Sequence, residues 1–235
     1  PRFGAPVTGI SKFVAIGLNY VDHAKETGNP IPPEPIFFLK ANTSLSGPND
    51  AVEKPRESKK LDWEVEIAAI IGTRAKYVSE ADALNHVAGY CVINDVSERE
   101  FQIERGGTWD KGKGNDTFGP LGPWIVTADE VADPQNLKLW LEVDGKRYQD
   151  GSTRTMIFTV RQIVELPLAL RGDERAARRT RAGELFERVE GGRAAVGDQP
   201  VGALGGPVQQ RSRHREHGDP PVGGHAGRHQ GTASA

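Results

Sequence analysis

The residues best equipped for chemistry are Glu64 and Glu66, two carboxylates one residue apart at the mouth of an apolar, β-branched run over residues 61–71. Side chains alternate across a strand, so this spacing puts both on one face, roughly 7 Å apart, with Trp63, Val65 and Ile67 on the other. Like charges so placed repel and resist burial, and something cationic belongs between them. Hard oxygen ligands suit Mg²⁺, Ca²⁺ or Mn²⁺. The alternative is a solvated strand end with two surface glutamates. A third carboxylate, Asp95, follows the apolar residues Val92 and Ile93 and would complete an all-oxygen site with positions left for water and substrate. A helix N-cap role for Asp95 is compatible with that one.

His23 and Glu26 supply the acid–base element. Three residues apart on a short helical segment, they are neighbours on one face, and a carboxylate beside an imidazole raises its basicity and fixes its tautomer. Such a pair activates water; the alternative is an ordinary surface His–Glu pair. The stretch 106–123 is too rich in glycine to be a regular element. Its lysines can neutralise a developing oxyanion or a carboxylate, while the missing Gly-Lys-Ser/Thr ending excludes a phosphate-binding loop.

The elements that must position these groups are short. Residues 13–18 read as a strand, and 19–26 as a helix capped by Asn19 or Asp22 and stopped at Gly28-Asn29-Pro30. Four prolines between 30 and 35 make the next segment extended, so the short helix sits on a loop able to move as a lid. Residues 36–41 form a strand ending near Lys40. Ser79 to Asp82 open a helix running to Val87 in capping-box style, with His86 as a packing residue. Glu98, Arg99 and Gln102 ride the first turns of a further helix. Trp124 to Val126 read as a strand, and residues 137–143 alternate cleanly into the Asp144-Gly145 turn, a hairpin signal. A helix begins at Thr159.

The chain of 235 residues is long enough for a sizeable core, in one domain or two. A net charge of −2 excludes a global field for nucleic acid or an anionic membrane, leaving small molecules or copies of the chain itself as partners. One cysteine, Cys91, rules out an internal disulfide; it reads as a small buried hydrophobe in a protein of the reducing cytoplasm. No apolar stretch reaches the ~20 residues of a membrane span. The start at Pro1, without an initiator Met, suggests a fragment or processed chain.

Together the motifs G-L-N-Y-x-D-H-A-x-E, F-x-K, D-W-E-V-E, N-D-V-S-E-R-x-x-Q and W-D-K-G-K-G-x-D-T-F-G-P-x-G-P-W resemble the C-terminal catalytic domain of the fumarylacetoacetate hydrolase superfamily, over about residues 7–166. The likeness points towards bacterial members labelled ureidoglycolate lyase or 2,4-diketo-3-deoxy-sugar-acid hydrolase. It implies an α+β, mainly β fold, a mixed β-sandwich roll with short helices, with residues 1–170 as an incomplete catalytic domain. It also implies Mg²⁺ or Mn²⁺ held by Glu64, Glu66 and Asp95, with His23 and Glu26 as a water-activating dyad on a lid. Lys113 falls on the family's active-site lysine, and Lys40, Arg99, Gln102 and Tyr20 on positions around the substrate. The implied reaction is hydrolytic or lyase cleavage of a C–C bond in a 2,4-diketo acid of the acylpyruvate type, by a homodimer if intact. A ureidoglycolate lyase, or a 2-oxo acid isomerase or decarboxylase, is the alternative on the same scaffold.

Past Pro167 the composition changes. Residues 171–235 contain no Lys, Ile, Met, Trp or Tyr and one aromatic, Phe186, which predicts a low-complexity, disordered tail. The basic run 175–181 is interspersed with acidic residues and is no convincing nucleic-acid arm, and the four histidines between 214 and 229 have nothing to fix a metal geometry. The resemblance implies a Ser/Ala-Thr-Gly-Thr-Pro loop in this part, and none is present. Codons for residues 216–220, read from the second base, can spell Ser-Thr-Gly-Thr-Pro, so a reading-frame change is the expectation, and a catalytically inactive chain is the alternative function.

Overall fold

The computed structural model describes residues 2–166. In chain order these carry β1 (Phe13–Gly17), α1 (Val21–Thr27), β2 (Ile36–Lys40), β3 (Leu45–Ser46), β4 (Leu61–Asp62), β5 (Val65–Ile71), β6 (Val87–Asn94) and β7 (Ser97–Glu98). They continue with α2 (Asp110–Lys113), β8 (Gly119–Pro120), β9 (Val126–Thr127), β10 (Lys138–Val143), β11 (Lys146–Ser152) and α3 (Val160–Glu165). Strands dominate and the helices are short, the mainly β, α+β architecture expected. The predicted tail at 171–235, and with it the Ser-Thr-Gly-Thr-Pro question, lies outside the described residues.

The central sheet has the order β5-β6-β9, all antiparallel, with Glu66 opposite Ile93 and Ala68 opposite Cys91. Its two faces bury different sets. Ile67, Ala69 and Ile71 pack with Ala83, Val87, Tyr90, Val160 and Val164, while Ala68 and Ile70 pack with Val7, Cys91, Ile93 and Leu121. This is the alternation of a strand covered on both sides. Burial pushes the Cys91 thiol up to about 12, in keeping with a small inert core residue.

β1 and β2 pair antiparallel, Phe13 opposite Lys40, and Asp144 and Gly145 take the left-handed conformation that turns β10 into β11. Gly28, left-handed at φ 67°, ends α1 as expected. Thr159 caps α3 with a complete capping box. A cleft of about 900 Å³ opens between β1, β5 and α3.

Three local expectations are corrected. The run 61–71 is not one strand: Trp63 and Glu64 interrupt it, because the Glu64 amide turns to the side chain of Asn94 at 3.0 Å. The helix expected from Ser79 to Val87 shrinks to a single 3₁₀ turn over Ala83–His86, since Val87 is already committed to β6 and Ser79 is occupied by Asp82. The glycine-rich stretch is not wholly irregular either, because Asp110–Lys113 closes one helical turn.

Candidate functional site

The interruption before β5 matters because it leaves Glu64 just outside the strand, level with the end of β6, where Asp95 follows Asn94. The Asp95 amide donates to the Glu64 carbonyl at 2.8 Å, locking the two backbones side by side. The turn of α2 delivers Lys113 to the same point. Its ammonium donates to Glu64 Oε2 at 2.6 Å and to Asp95 Oδ2 at 2.8 Å, and stands 5.0 Å over the Phe38 ring. On the other side of Asp95, Lys40 Nζ donates to Oδ1 at 2.5 Å and to the carbonyls of Lys113 and Val96.

Arg99 closes the ring of charges. Its guanidinium pairs with Glu64 and reaches Asp62 Oδ2 at 2.8 Å, while its Nη1 donates to Gln102 Oε1 at 3.0 Å. Gln102 is buried and held by that bond, in the middle of a π-helical segment over Glu100–Glu104. Glu98, expected on the same helix, belongs to β7, because its carboxylate is taken up by Ser58 and the amides of Lys60 and Glu100. Asn19, read as a helix cap, instead braces the segment before α3, with its amide group bonded to both the N–H and the C=O of Phe158.

Protonation follows from this packing. Burial works to raise the Asp95 carboxyl, but Lys113 and Lys40 outweigh it and hold it below the usual range. Burial lowers the Lys40 ammonium despite the pull of Asp95. Glu66 is the opposite case. Burial, reinforced by the charges of Glu64 and Asp95, pushes its carboxyl well above normal, and no ion pair relieves it among the described residues. The Tyr20 hydroxyl faces Glu66 without closing a hydrogen bond of normal geometry; burial first, and then the Glu66 charge, raise it strongly.

The structure brings some of the residues singled out in the sequence together and leaves others apart. Glu64, Asp95, Lys113, Lys40, Arg99 and Gln102 are brought into one network, with Glu66 and Tyr20 at its edge. The three carboxylates lie within electrostatic reach of each other, yet among the described residues no three acidic, His or Cys side chains converge in metal-ligating geometry. The cation expected between Glu64 and Glu66 is not among the described side chains; the Lys113 ammonium stands instead between Glu64 and Asp95. Lys40 is enclosed beneath Asp95, at the lining of the cleft. His23 is half-buried and Glu26 exposed on α1; no hydrogen bond or ion pair joins them, and neither lines the cleft. The donor chemistry still fits a hard cation, since Glu66 is a half-buried carboxylate facing the cleft with no ion-pair partner among the described residues, and the Tyr20 hydroxyl beside it is buried without a hydrogen bond of normal geometry.

Two residues of the network carried no sequence signal as site residues. Asp62 anchors Arg99 alongside Glu64. Glu98 is wholly buried and accepts from the Ser58 hydroxyl and from the amides of Lys60 and Glu100, tying the loop before β4 to the segment that carries Arg99. Its burial within Ser97-Glu98-Arg99 runs against the usual exposure of glutamate, which is why pattern alone misses it.

A mainly β domain with carboxylates and cations interleaved at the end of its central sheet is a scaffold for acid–base and anion chemistry. The chain belongs to the fumarylacetoacetate (FAA) hydrolase family, whose C-terminal domain matches residues 12–169. A Burkholderia ambifaria protein named "Putative hydrolase" is 65% identical over 164 residues, 70% of this chain and 58% of its own length. The chain thus spans under two thirds of the curated relatives it matches. Among solved structures, 5-carboxymethyl-2-hydroxymuconate delta-isomerase from Mycobacterium smegmatis is similar with a TM-score of 0.65 and 39% identity, over 73% of this chain and 67% of that one. The 2-hydroxyhepta-2,4-diene-1,7-dioate isomerase from Mycobacterium marinum gives a TM-score of 0.63 and 40% identity, over 72% and 62%. The scaffold is that of family hydrolases and isomerases, and these neighbours carry isomerase names rather than the lyase and sugar-acid labels suggested by the motifs. Among the described residues no helix is long and apolar enough to cross a membrane.

Proposed function

We propose that this chain carries the site of a divalent-metal-dependent enzyme of 2-oxo acids that cleaves a C–C bond in a 2,4-diketo acid of the acylpyruvate type. The observation that carries the reading is the alternation of charge around Lys113. Glu64 and Asp95 stand against Lys113, Lys40 and Arg99, with Glu66 unpaired beside them, so a cation drawing on the carboxylates frees the ammonium of Lys113 and the guanidinium of Arg99 for an anionic substrate. Mg²⁺ or Mn²⁺ held by Glu64, Glu66 and Asp95 would supply Lewis acidity toward the 2-oxo and carboxylate oxygens.

The chain's own residues do the rest. Lys113 faces the oxygen that gains charge as the bond breaks, and Arg99 holds the substrate carboxylate. His23 accepts the proton of the water that attacks the distal carbonyl, once α1 closes over the site and Glu26 orients the ring.

A second reading, tautomerisation of a 2-hydroxy-dienoic acid, is favoured by one specific observation. Proton transfer between carbon and oxygen needs no activated water, and His23 and Glu26 are left unpaired. The names of the M. smegmatis and M. marinum neighbours describe reactions of that type.

Purified protein assayed with Mn²⁺ separates the readings. Loss of the diketo chromophore with release of pyruvate, abolished by His23→Ala and by Glu66→Gln, supports hydrolysis. Conversion of a dienol without cleavage, lost with Glu66→Gln and kept with His23→Ala, supports isomerisation. No Mn²⁺ binding by titration calorimetry and no turnover of either substrate leaves an inactive chain.

A further inference from the structure

Arg99 is held by acceptors that are not candidate ligands of a cation. β4 and β7 pair antiparallel, with Leu61 opposite Glu98 and Asp62 opposite Ser97, and the Arg99 amide donates to the Lys60 carbonyl at 2.9 Å. The backbones that carry Asp62 and Arg99 are thus fixed against each other. Asp62 Oδ2 accepts from Arg99 Nε at 2.9 Å and lies 2.8 Å from Nη2, while its Oδ1 takes the Trp63 amide at 3.0 Å. Nη1 donates to Gln102 Oε1 at 3.0 Å, and Gln102 is buried. All three nitrogens of the guanidinium therefore have an acceptor without Glu64.

Glu64 is held differently. Its Oε1 pairs with Arg99 and its Oε2 with Lys113, the latter at 2.6 Å, so a cation drawing on this carboxylate takes it from two partners at once. What those partners fall back on is unequal. The other carboxylate of Lys113 is Asp95, itself a candidate ligand of the same cation, and Lys40 pairs with no carboxylate but Asp95 among the described residues. Asp62 reaches Arg99 from outside the set of Glu64, Glu66 and Asp95. Of the cationic side chains at the site, Arg99 alone keeps a carboxylate partner when those three are engaged.

We propose that Asp62 is a positioning residue, which keeps Arg99 at the site when Glu64 turns to a cation, so that the guanidinium meets an anionic substrate already aimed. The proposal rests on the function proposed for the site, in which Glu64 ligates the cation and Arg99 takes the substrate carboxylate. Removing the charge has two effects. With Asp62→Asn, Glu64 is the sole carboxylate left to Arg99, and that pair resists a cation more strongly. Once Glu64 does leave, a guanidinium held by neutral groups alone is less well aimed, and the substrate binds more weakly.

Titration calorimetry with Mn²⁺, beside steady-state kinetics on an acylpyruvate, tests it. Asp62→Asn should weaken Mn²⁺ binding and raise KM, each by roughly three- to fivefold for a partly exposed ion pair, with kcat changed less. In an Arg99→Met background the same substitution should affect Mn²⁺ less, because Asp62 acts through Arg99. An equal or larger loss in that background overturns the proposal, since a lost charge then acts through its field alone. A second measurement needs no metal and no change at Asp62. Glu64→Gln imitates a Glu64 whose charge is engaged elsewhere, and the Arg99 Nε–H should stay protected from exchange in its NMR spectrum. Loss of that protection overturns the anchor and leaves the reading of the site standing, whereas no Mn²⁺ binding by the unmodified chain overturns both.

Discussion

Lys113 Nζ lies 2.6 Å from Glu64 Oε2, so the first carboxylate of the Glu-Val-Glu triplet is neutralised by an ammonium that the fold itself provides. The same ammonium reaches Asp95 at 2.8 Å, and any divalent cation drawing on these two carboxylates competes with it. Lys113→Met should therefore bind Mn²⁺ more tightly, roughly tenfold for about 1.4 kcal/mol of relieved repulsion, while turnover of a diketo acid falls. Titration calorimetry beside the assay reads both. Weaker Mn²⁺ binding by the variant would show that Lys113 supports the cation instead of opposing it.

Lys40 and Asp95 form the most enclosed ion pair of the site, the lysine side chain having no exposure at all. Lys40→Met leaves Asp95 with one cation instead of two and should destabilise the chain by about 3 kcal/mol, measured by urea unfolding at neutral pH. The pH dependence has a definite sign. The folded Asp95 carboxyl ionises below its ordinary value of 3.8, so its contribution is present above that value and lost as pH falls through the lower, folded one. The acid limb of the stability curve should flatten in the variant.

At the alkaline end Cys91 dominates. Its thiol, near 9.0 when unfolded, is pushed up by burial to about 12. The folded state keeps a proton that the unfolded state gives up, so stability falls as pH rises from 9 towards 12, by about 4 kcal/mol at the upper end. Tyr90, pushed by burial from 10.0 to about 12, adds a smaller loss in the same direction. Cys91→Ala removes the part of the decline that begins near pH 9, and an unchanged alkaline curve would exclude the thiol as its cause.

What the sequence made legible was set by local physics. The hairpin turn at Asp144-Gly145, the Gly28 stop and the helix start at Thr159 are each decided within a few residues, and all three appear in the structure. So do the strands β1, β2 and β10, whose apolar patterns have a single reading. Glu64 and Asp95 meet because one precedes β5 and the other follows β6, whereas the turn of α2 that brings Lys113 to them lay in a stretch too rich in glycine to show a pattern. What could not be read depends on distant partners. The Asn94 side chain breaks the strand at Glu64, β6 captures Val87 and shortens the turn before it, and the contacts of Lys40 and Glu98 are made across 55 and 40 residues of chain. No periodicity encodes such meetings.

Gly112 shows how closely the lysine of the site is held. A Cβ built on it would lie 2.4 Å from the Glu98 carbonyl, 2.6 Å from Gln102 Cβ and 2.7 Å from the Gln102 amide, all parts of the segment that carries Arg99. Two of those three are backbone atoms and cannot swing aside, so a methyl group forces α2 away from that segment. Gly112→Ala should then cost about 1–3 kcal/mol of stability through overpacking. It should also shift Lys113, the next residue, away from Glu64 and Asp95; under the proposed mechanism, in which the lysine acts on charge that develops during the reaction, kcat falls more than KM rises. Steady-state kinetics beside a thermal melt separates the two effects. A variant that melts early with unchanged kcat would show that the turn of α2 relaxes without moving the ammonium.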